Sequence, residues 1–213
     1  MPYTGKTKDN QKTGKTGHKR QDTQISHISG SFISRIEMGE GVIAEAPHVI
    51  VSQGIGSCVV VALYDTKLKV GGLAHIALPD SRMRSAGCGE QGGRSGGGAE
   101  LLQKTTGTTG TVLSYQCADT AIAALLEGLG NRGSSRSNIV ARMAGGARMF
   151  PSYSDTSTGI GEQNIVSIMR LLEKEHIPIM GLDVGGNHGR NVEFCLDSGR
   201  IIVTALEKED KEF

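Results

Sequence analysis

The sequence predicts an α/β fold, a single layered domain in which helices cover a mixed β-sheet. Three observations lead there. Runs of β-branched residues recur, and "CVVVALYD" (Cys58–Asp65) is nearly continuous, the pattern of a strand buried on both faces. Two stretches, Leu113–Leu129 and Ile160–Ile177, carry apolar residues at helical spacing. The strand-like runs outnumber these helices, and helices separate some of them.

Composition sets the bounds. The chain has 213 residues, enough for one domain with a real core. Trp is absent and aromatics are 4%, so Val, Ile, Leu, Met and Ala must fill that core. A net charge of +1 gives no electrostatic footprint for nucleic acid. The four cysteines, Cys58, Cys88, Cys117 and Cys195, form no C-x-x-C pair, which argues against a zinc knuckle or redox dithiol. No apolar run is long enough to span a membrane and no signal peptide opens the chain. The reading is therefore a cytoplasmic protein with reduced thiols and no membrane insertion, and none of the candidate chemistry below calls for a cofactor.

The elements come in order. Residues 1–30 are Lys/Gly/Thr/Gln-rich without apolar period, with six Lys/Arg against Asp9 and Asp22; such a basic tail is expected to be disordered. Structure should begin near Phe32, with short β-like runs broken at Met38–Gly41, a turn signal. His48–Gly54 reads as a strand. Cys58–Asp65 and Val70–Pro79 read as the two arms of a hairpin turned on "DTKLK". Residues 81–111 are Gly/Thr-rich and read as a flexible insert. A helix is expected around Leu113–Leu129, with Asp119 as a candidate cap and Gly130 just past its end. Asn138–Phe150 reads as strand, glycine turn and short apolar run. Ile160–Ile177 is a helix with Ile165, Ile168, Met169 and Leu172 on one face, stopped by Pro178. "PIMGLDVGG" is a strand, and "NVEFCLDSGRIIVTAL" a hairpin on Asp197–Gly199. The domain should span 31–206, and 207–213 should be a charged, solvated tail.

Three residues carry candidate chemistry. Cys58 stands where a glycine-rich turn, Gly54–Ser57, meets a strand. It is either a small apolar residue filling a corner or a nucleophile, with backbone N–H groups near Gly56 and Ser57 serving an oxyanion and lowering the thiol pKa. His75 interrupts an apolar strand. It is either a core histidine satisfied by a carbonyl or the proton shuttle, since the hairpin returns it towards Cys58. Ser52 lies six residues before Cys58; its hydroxyl is placed to orient an imidazole or bond a substrate. "GIGSC" is not a phosphate loop, because no Gly-Lys-Ser/Thr comes after it. "GGNHGR" (Gly185–Arg190) is either a tight surface turn or a presentation of Asn187, His188 and Arg190 to a ligand. "AGGAR" (Ala144–Arg148) is either a bulge or a place of close backbone approach. Cys88 falls in the insert, and Cys117 and Cys195 read as core.

"GIGSCVVVALYD…KVGGLAHIALPD" closely resembles the signature of the chemoreceptor glutamine deamidases, the CheD family, and "MAGGARMF", "IGEQNI" and "IPIMGLDVGGNHGRNVEF" resemble its later blocks in the same order. The resemblance implies a fold similar to that of cytotoxic necrotizing factor-type deamidases. It implies hydrolysis of specific glutamine side chains on chemoreceptor cytoplasmic helices, with release of ammonia, and a role in chemotaxis adaptation. It places the family's catalytic cysteine on Cys58, its histidine on His75, and its third residue, usually Thr, on Ser52. The family turn that often carries an aromatic has His188 here. The resemblance also implies CheC, a phosphatase, as a partner. Two other readings are an adaptor that regulates CheC with little or no deamidation, and a thiol hydrolase of small amides.

Overall fold

In a computed structural model of the chain, the residues described are 32–83, 115–149 and 158–213. The predicted tail 1–30 and nearly all of the predicted insert 81–111 lie outside them.

Among the described residues, ten strands form two five-stranded sheets rather than the single mixed sheet expected. The first sheet holds β1 (Ile33–Ile36), β3 (Val49–Ile55), β8 (Arg190–Cys195), β9 (Arg200–Thr204) and β10 (Lys211–Glu212), adjacent in that order. The second runs β2 (Gly41–Glu45), β5 (Val70–Ile76), β4 (Val59–Asp65), β6 (Ile139–Gly145) and β7 (Ile179–Val184). The chain crosses between sheets at each early turn: β1 and β3 belong to one, β2 and β4 to the other. Strand runs announce themselves by composition, but which sheet each joins depends on these crossings.

The second sheet is the middle layer. Every residue of β4 and β5 is buried, as the β-branched run of Val59–Asp65 predicts. On one face, Val60, Ala62, Tyr64 and Leu73 pack against Ile50, Val192, Phe194 and Ile201 of the first sheet. On the other, Val59, Val61, Leu63, Ala74 and Ile76 pack against two helices. Helix α1 (Ala118–Gly130) contributes Ile122, Leu125 and Leu129, each worth about 1.5–3 kcal/mol relative to exposure. Helix α2 (Ile160–Lys174) contributes Ile168 and Leu172. The predicted hairpin is present, with β4 and β5 antiparallel from Val59–Ile76 to Asp65–Val70.

Several expectations need correction. Gly130 is the last residue of α1 rather than the one after it. Asp119 does not cap that helix as the N-cap residue; its carboxylate accepts from the Ser81 backbone N–H at 3.1 Å and from the Ser81 hydroxyl at 2.5 Å. Helix α2 ends three residues before Ile177, at Lys174. The chain leaves it through His176 at φ +57°, ahead of Pro178. Met169 is 39% exposed, whereas Gly161 and Asn164 are buried. The C-terminal residues are charged and exposed at Lys211 and Glu212, but these two pair with β9, and Phe213 packs partly into the inter-sheet core. An aromatic after the charged run gives this segment something to bury.

Candidate active site

The site is built where β3, β4 and β5 meet. Strand β3 runs parallel to β1, with Ser52 beside Ile36, and antiparallel to β8 until the register shifts between Ser52 and Ile55. Such a bulge bends a strand and re-aims the residues beyond it. Here it releases the chain into the Gly56–Cys58 loop that enters β4. His75 pairs with Val60 across the β4–β5 ladder, so both share the face towards the first sheet. Cys58 stands two residues before Val60, one pleat repeat along the same strand direction. A cysteine there and a histidine opposite Val60 are diagonal neighbours across the ladder.

His75 is 3% exposed and Ser52 1% exposed, whereas Cys58 is half-buried. The Met38–Gly41 turn holds the His75 backbone from both sides: Gly39 N–H donates to the His75 carbonyl at 2.8 Å, and His75 N–H to the Glu40 carbonyl at 2.9 Å. The imidazole itself is fixed by Ser52, whose Oγ lies 2.9 Å from Nδ1. The Ser52 hydroxyl donates to the Ile36 carbonyl at 3.1 Å. A carbonyl can only accept, and the hydroxyl has one proton. Ser52 therefore accepts from Nδ1–H, which assigns the neutral tautomer with the lone pair on Nε2. That Nε2 is buried and has no hydrogen-bond partner among the described residues.

Burial sets both titrations. It holds the His75 imidazole below its ordinary value and pushes the Cys58 thiol up, while the Cys58 backbone N–H, approaching the sulfur, favours the thiolate to a lesser degree. The sequence expectation of a thiol pKa lowered by converging amides is thus corrected: desolvation of the anion outweighs the amide. Both directions favour the neutral forms, thiol at Cys58 and imidazole at His75.

The Cys58 loop is pinned on both sides. Gly146 N–H donates to the Cys58 carbonyl at 2.7 Å and Ala147 N–H to the Gly56 carbonyl at 2.8 Å. "AGGAR" is thus a place of close backbone approach. Gly145 has φ +115°, and a Cβ there would stand 2.3 Å from the Cys58 carbonyl oxygen; only glycine meets both conditions. On the other side Asn164, fully buried on α2, donates through Nδ2 to the carbonyls of Ser57 and Ala77, each at 3.1 Å. Sequence reasoning gives Asn164 no role. Its one signal is a polar residue a helical turn before buried Ile168, on the apolar face.

A groove of about 470 Å³ opens beside the loop, walled by Ser57, Ala147, Met149, Ile160, Ile165 and Gly186 among others. It reaches the site through Ser57; Cys58, His75 and Ser52 are not among its walls. Arg190 is not presented to a ligand: it is 3% exposed and its Nε donates to Asp183 at 2.6 Å. Asn187 is exposed and His188 half-buried in the same turn. Cys117 is buried, while Cys195 is half-buried rather than core, and Cys88 lies outside the described residues. Among the described residues, no group of three or more His, Cys, Asp or Glu is placed to hold a metal ion, and no helix is long and apolar enough to cross a membrane.

Comparison with known proteins extends this geometry. The family profile described as CheD chemotactic sensory transduction matches residues 97–205. A probable chemoreceptor glutamine deamidase CheD 2 of Geobacter metallireducens is 36% identical over 183 residues, covering 85% of this chain and 99% of that protein. The chemoreceptor glutamine deamidase CheD of Halalkalibacterium halodurans is 34% identical over 181 residues, 84% of this chain and 98% of that one. A probable chemoreceptor glutamine deamidase CheD of Caldanaerobacter subterraneus is 32% identical over 177 residues, 83% of this chain and 94% of its own. By the profile and by these near full-length similarities, the chain belongs to the CheD family of chemotactic sensory transduction proteins.

Proposed function

We propose that this protein is a protein-glutamine deamidase acting on chemoreceptor cytoplasmic helices, with Cys58 as nucleophile, His75 as proton shuttle and Ser52 as its orienter. The observation that carries the reading is the Ser52–His75 pair: Ser52 accepts from Nδ1 and leaves a buried, unpartnered Nε2, among the described residues, as a base. The names of the relatives supply the substrate class.

The chemistry rests on the groups present. Both resting groups are neutral, so proton transfer accompanies attack rather than preceding it. As the sulfur bonds to the glutamine Cδ, Nε2 takes the thiol proton. The oxyanion that forms is met by backbone N–H groups around Gly56, Ser57 and Cys58. Collapse breaks the C–N bond, and His75 returns its proton to the leaving ammonia, giving a thioester. Water then attacks the thioester, His75 takes its proton, and the thiol and a glutamate side chain are released. Glutamine plus water becomes glutamate plus ammonia, with no redox change and no metal or organic cofactor called upon.

The same reading extends to the CheC phosphatase as a partner, a cytoplasmic location and a fold shared with cytotoxic necrotizing factor-type deamidases. Ammonia release from a recombinant chemoreceptor cytoplasmic fragment tests the central part. The expected result is release by the parent and none by a folded Cys58→Ala variant. No release by the parent, with CheC binding retained, would favour an adaptor. Release from free glutamine but not from the fragment would favour a small-amide hydrolase.

A further inference from the structure

We infer that Asn164 is a positioning residue that aims the Ser57–Cys58 peptide plane, turning the Cys58 N–H towards the reacting thiol. The inference rests on the deamidase reading for its kinetic consequence, but its geometry stands apart from it.

The β4–β5 ladder ends at the Val59–Ile76 pair. One step further, the Cys58 loop turns away and the pairing stops. The carbonyls of Ser57 and Ala77 lie beyond that last pair. Backbone carbonyls buried without a donor are costly. The Asn164 amide supplies both donors from one nitrogen, 3.1 Å to each oxygen. Two carbonyl acceptors on the same atom also fix which end of the amide is nitrogen. Ser167, one helical turn on, donates to the Pro79 carbonyl at 2.6 Å, so α2 presents a polar stripe to the segment leaving β5.

The consequence concerns the opposite end of one peptide bond. In a trans peptide the carbonyl and the following N–H point in opposite directions. Drawing the Ser57 carbonyl towards α2 therefore turns the Cys58 N–H away from α2. The Cys58 N–H favours the Cys58 thiolate, against the larger opposing effect of burial. An amide beside the attacking sulfur is where the oxyanion of an acyl-transfer step develops. Asn164 touches neither thiol nor substrate; it acts through the peptide. It also ties the cysteine loop to the strand that carries His75, since Ala77 lies two residues past that histidine.

The test uses the full chain and two kinds of reading. Asn164→Leu keeps the branched heavy-atom shape but removes both donors. Expected is a kcat lower by about 10-fold to 100-fold, less than the ~10²–10³ that outright loss of an oxyanion donor costs, with KM on the receptor fragment within about twofold. Iodoacetamide labelling of Cys58 against pH needs no deamidase substrate. Its midpoint should move upward in Asn164→Leu, because an amide favouring the thiolate is misaimed. Parent-like kcat and a parent-like labelling midpoint in folded Asn164→Leu would overturn the inference. If that variant does not fold, Asn164→Asp decides: its buried carboxyl can donate only when protonated, so activity relative to parent should climb as pH falls, and a flat ratio would overturn it. Deamidation that persists in Cys58→Ala would sink the nucleophile reading, whereas the labelling shift would still report on Asn164.

Discussion

Ser52 Oγ lies 2.9 Å from Nδ1 of His75 and sends its own proton to the Ile36 carbonyl, which makes the serine an acceptor and leaves the histidine's other nitrogen basic. The proposed division of labour gives a ranked mutational outcome. His75→Ala should lower kcat by about 10²–10⁴-fold, the worth of a positioned proton-transfer group. Ser52→Ala should cost less, about 3-fold to 30-fold, because orientation is lost while the base remains. Ser52→Thr keeps the hydroxyl and stiffens χ1, and should be neutral or better. Steady-state kinetics on the receptor fragment checks the order, and full activity in Ser52→Ala would remove that residue from the site.

The pH profile is set by burial. His75 must be neutral to act as a base, and its pKa is held below the ordinary value of about 6.5. Activity in kcat/KM should therefore rise through a limb below pH ~6.5 and be level through neutrality. Stability should move in the same direction. The folded state resists protonating His75, so as pH falls below the unfolded value the unfolded chain binds more protons and stability drops, levelling once the folded value is passed. Thermal melts of parent and His75→Gln across this range isolate that contribution. An activity limb centred above pH ~6.5 would contradict the assignment.

Cys58 offers a chemical test of the neutral resting pair. With its pKa pushed up by burial, the folded protein's Cys58 should alkylate at pH ~7 no faster than a free thiol of pKa about 8.5. A rate well above that of a denatured control would mean a preformed thiolate and would replace concerted proton transfer with an ion-pair mechanism.

The edge strand β7 of the second sheet is tied to the central strand β8 of the first by Asp183 and Arg190, 8% and 2% exposed in their side chains. Lys211 also donates to Asp183. Removing one partner leaves an unpaired buried charge, so Asp183→Ala should lower unfolding free energy by about 3–5 kcal/mol. Urea denaturation checks it. A loss under about 1 kcal/mol would show the pair to behave as an exposed one.

The Gly145 close approach predicts a combined defect. A methyl group at φ +115°, 2.3 Å from the Cys58 carbonyl, must displace the cysteine loop. Gly145→Ala should lose both melting temperature and activity, whereas Gly133→Ala, at φ +86° with nothing within 4 Å, should lose melting temperature alone. Equal effects of the two on activity would argue that the loop is not held by this contact.

Much of the candidate site is legible in the sequence because its residues contradict their surroundings. A histidine in "GLAHIAL" and a cysteine between a glycine turn and a valine run ask for explanations that periodicity alone does not supply. The continuous β-branched run of β4 likewise announces a strand buried on both faces, and it is the centre of the middle layer. The division into two sheets is not legible, since Ile33–Ile36 and Gly41–Glu45 look alike as strands yet join different sheets. Nor is Asn164, whose meaning lies in two carbonyls 107 and 87 residues away. The direction of the thiol shift is hidden for a related reason: glycines and amides near Cys58 are visible in sequence, but the desolvation that outweighs them belongs to the assembled layers.

The measurement that bears most directly on the central claim is the intact mass of a chemoreceptor cytoplasmic fragment after incubation with the full chain. Each glutamine hydrolysed to glutamate adds about one dalton and releases one ammonia, in the proposed mechanism by way of a cysteine thioester. The account predicts that gain with the parent protein, its loss with Cys58→Ala, and its slowing with His75→Ala, all three melting as folded proteins. A mass gain that survives Cys58→Ala, or no gain with the folded parent, would contradict it.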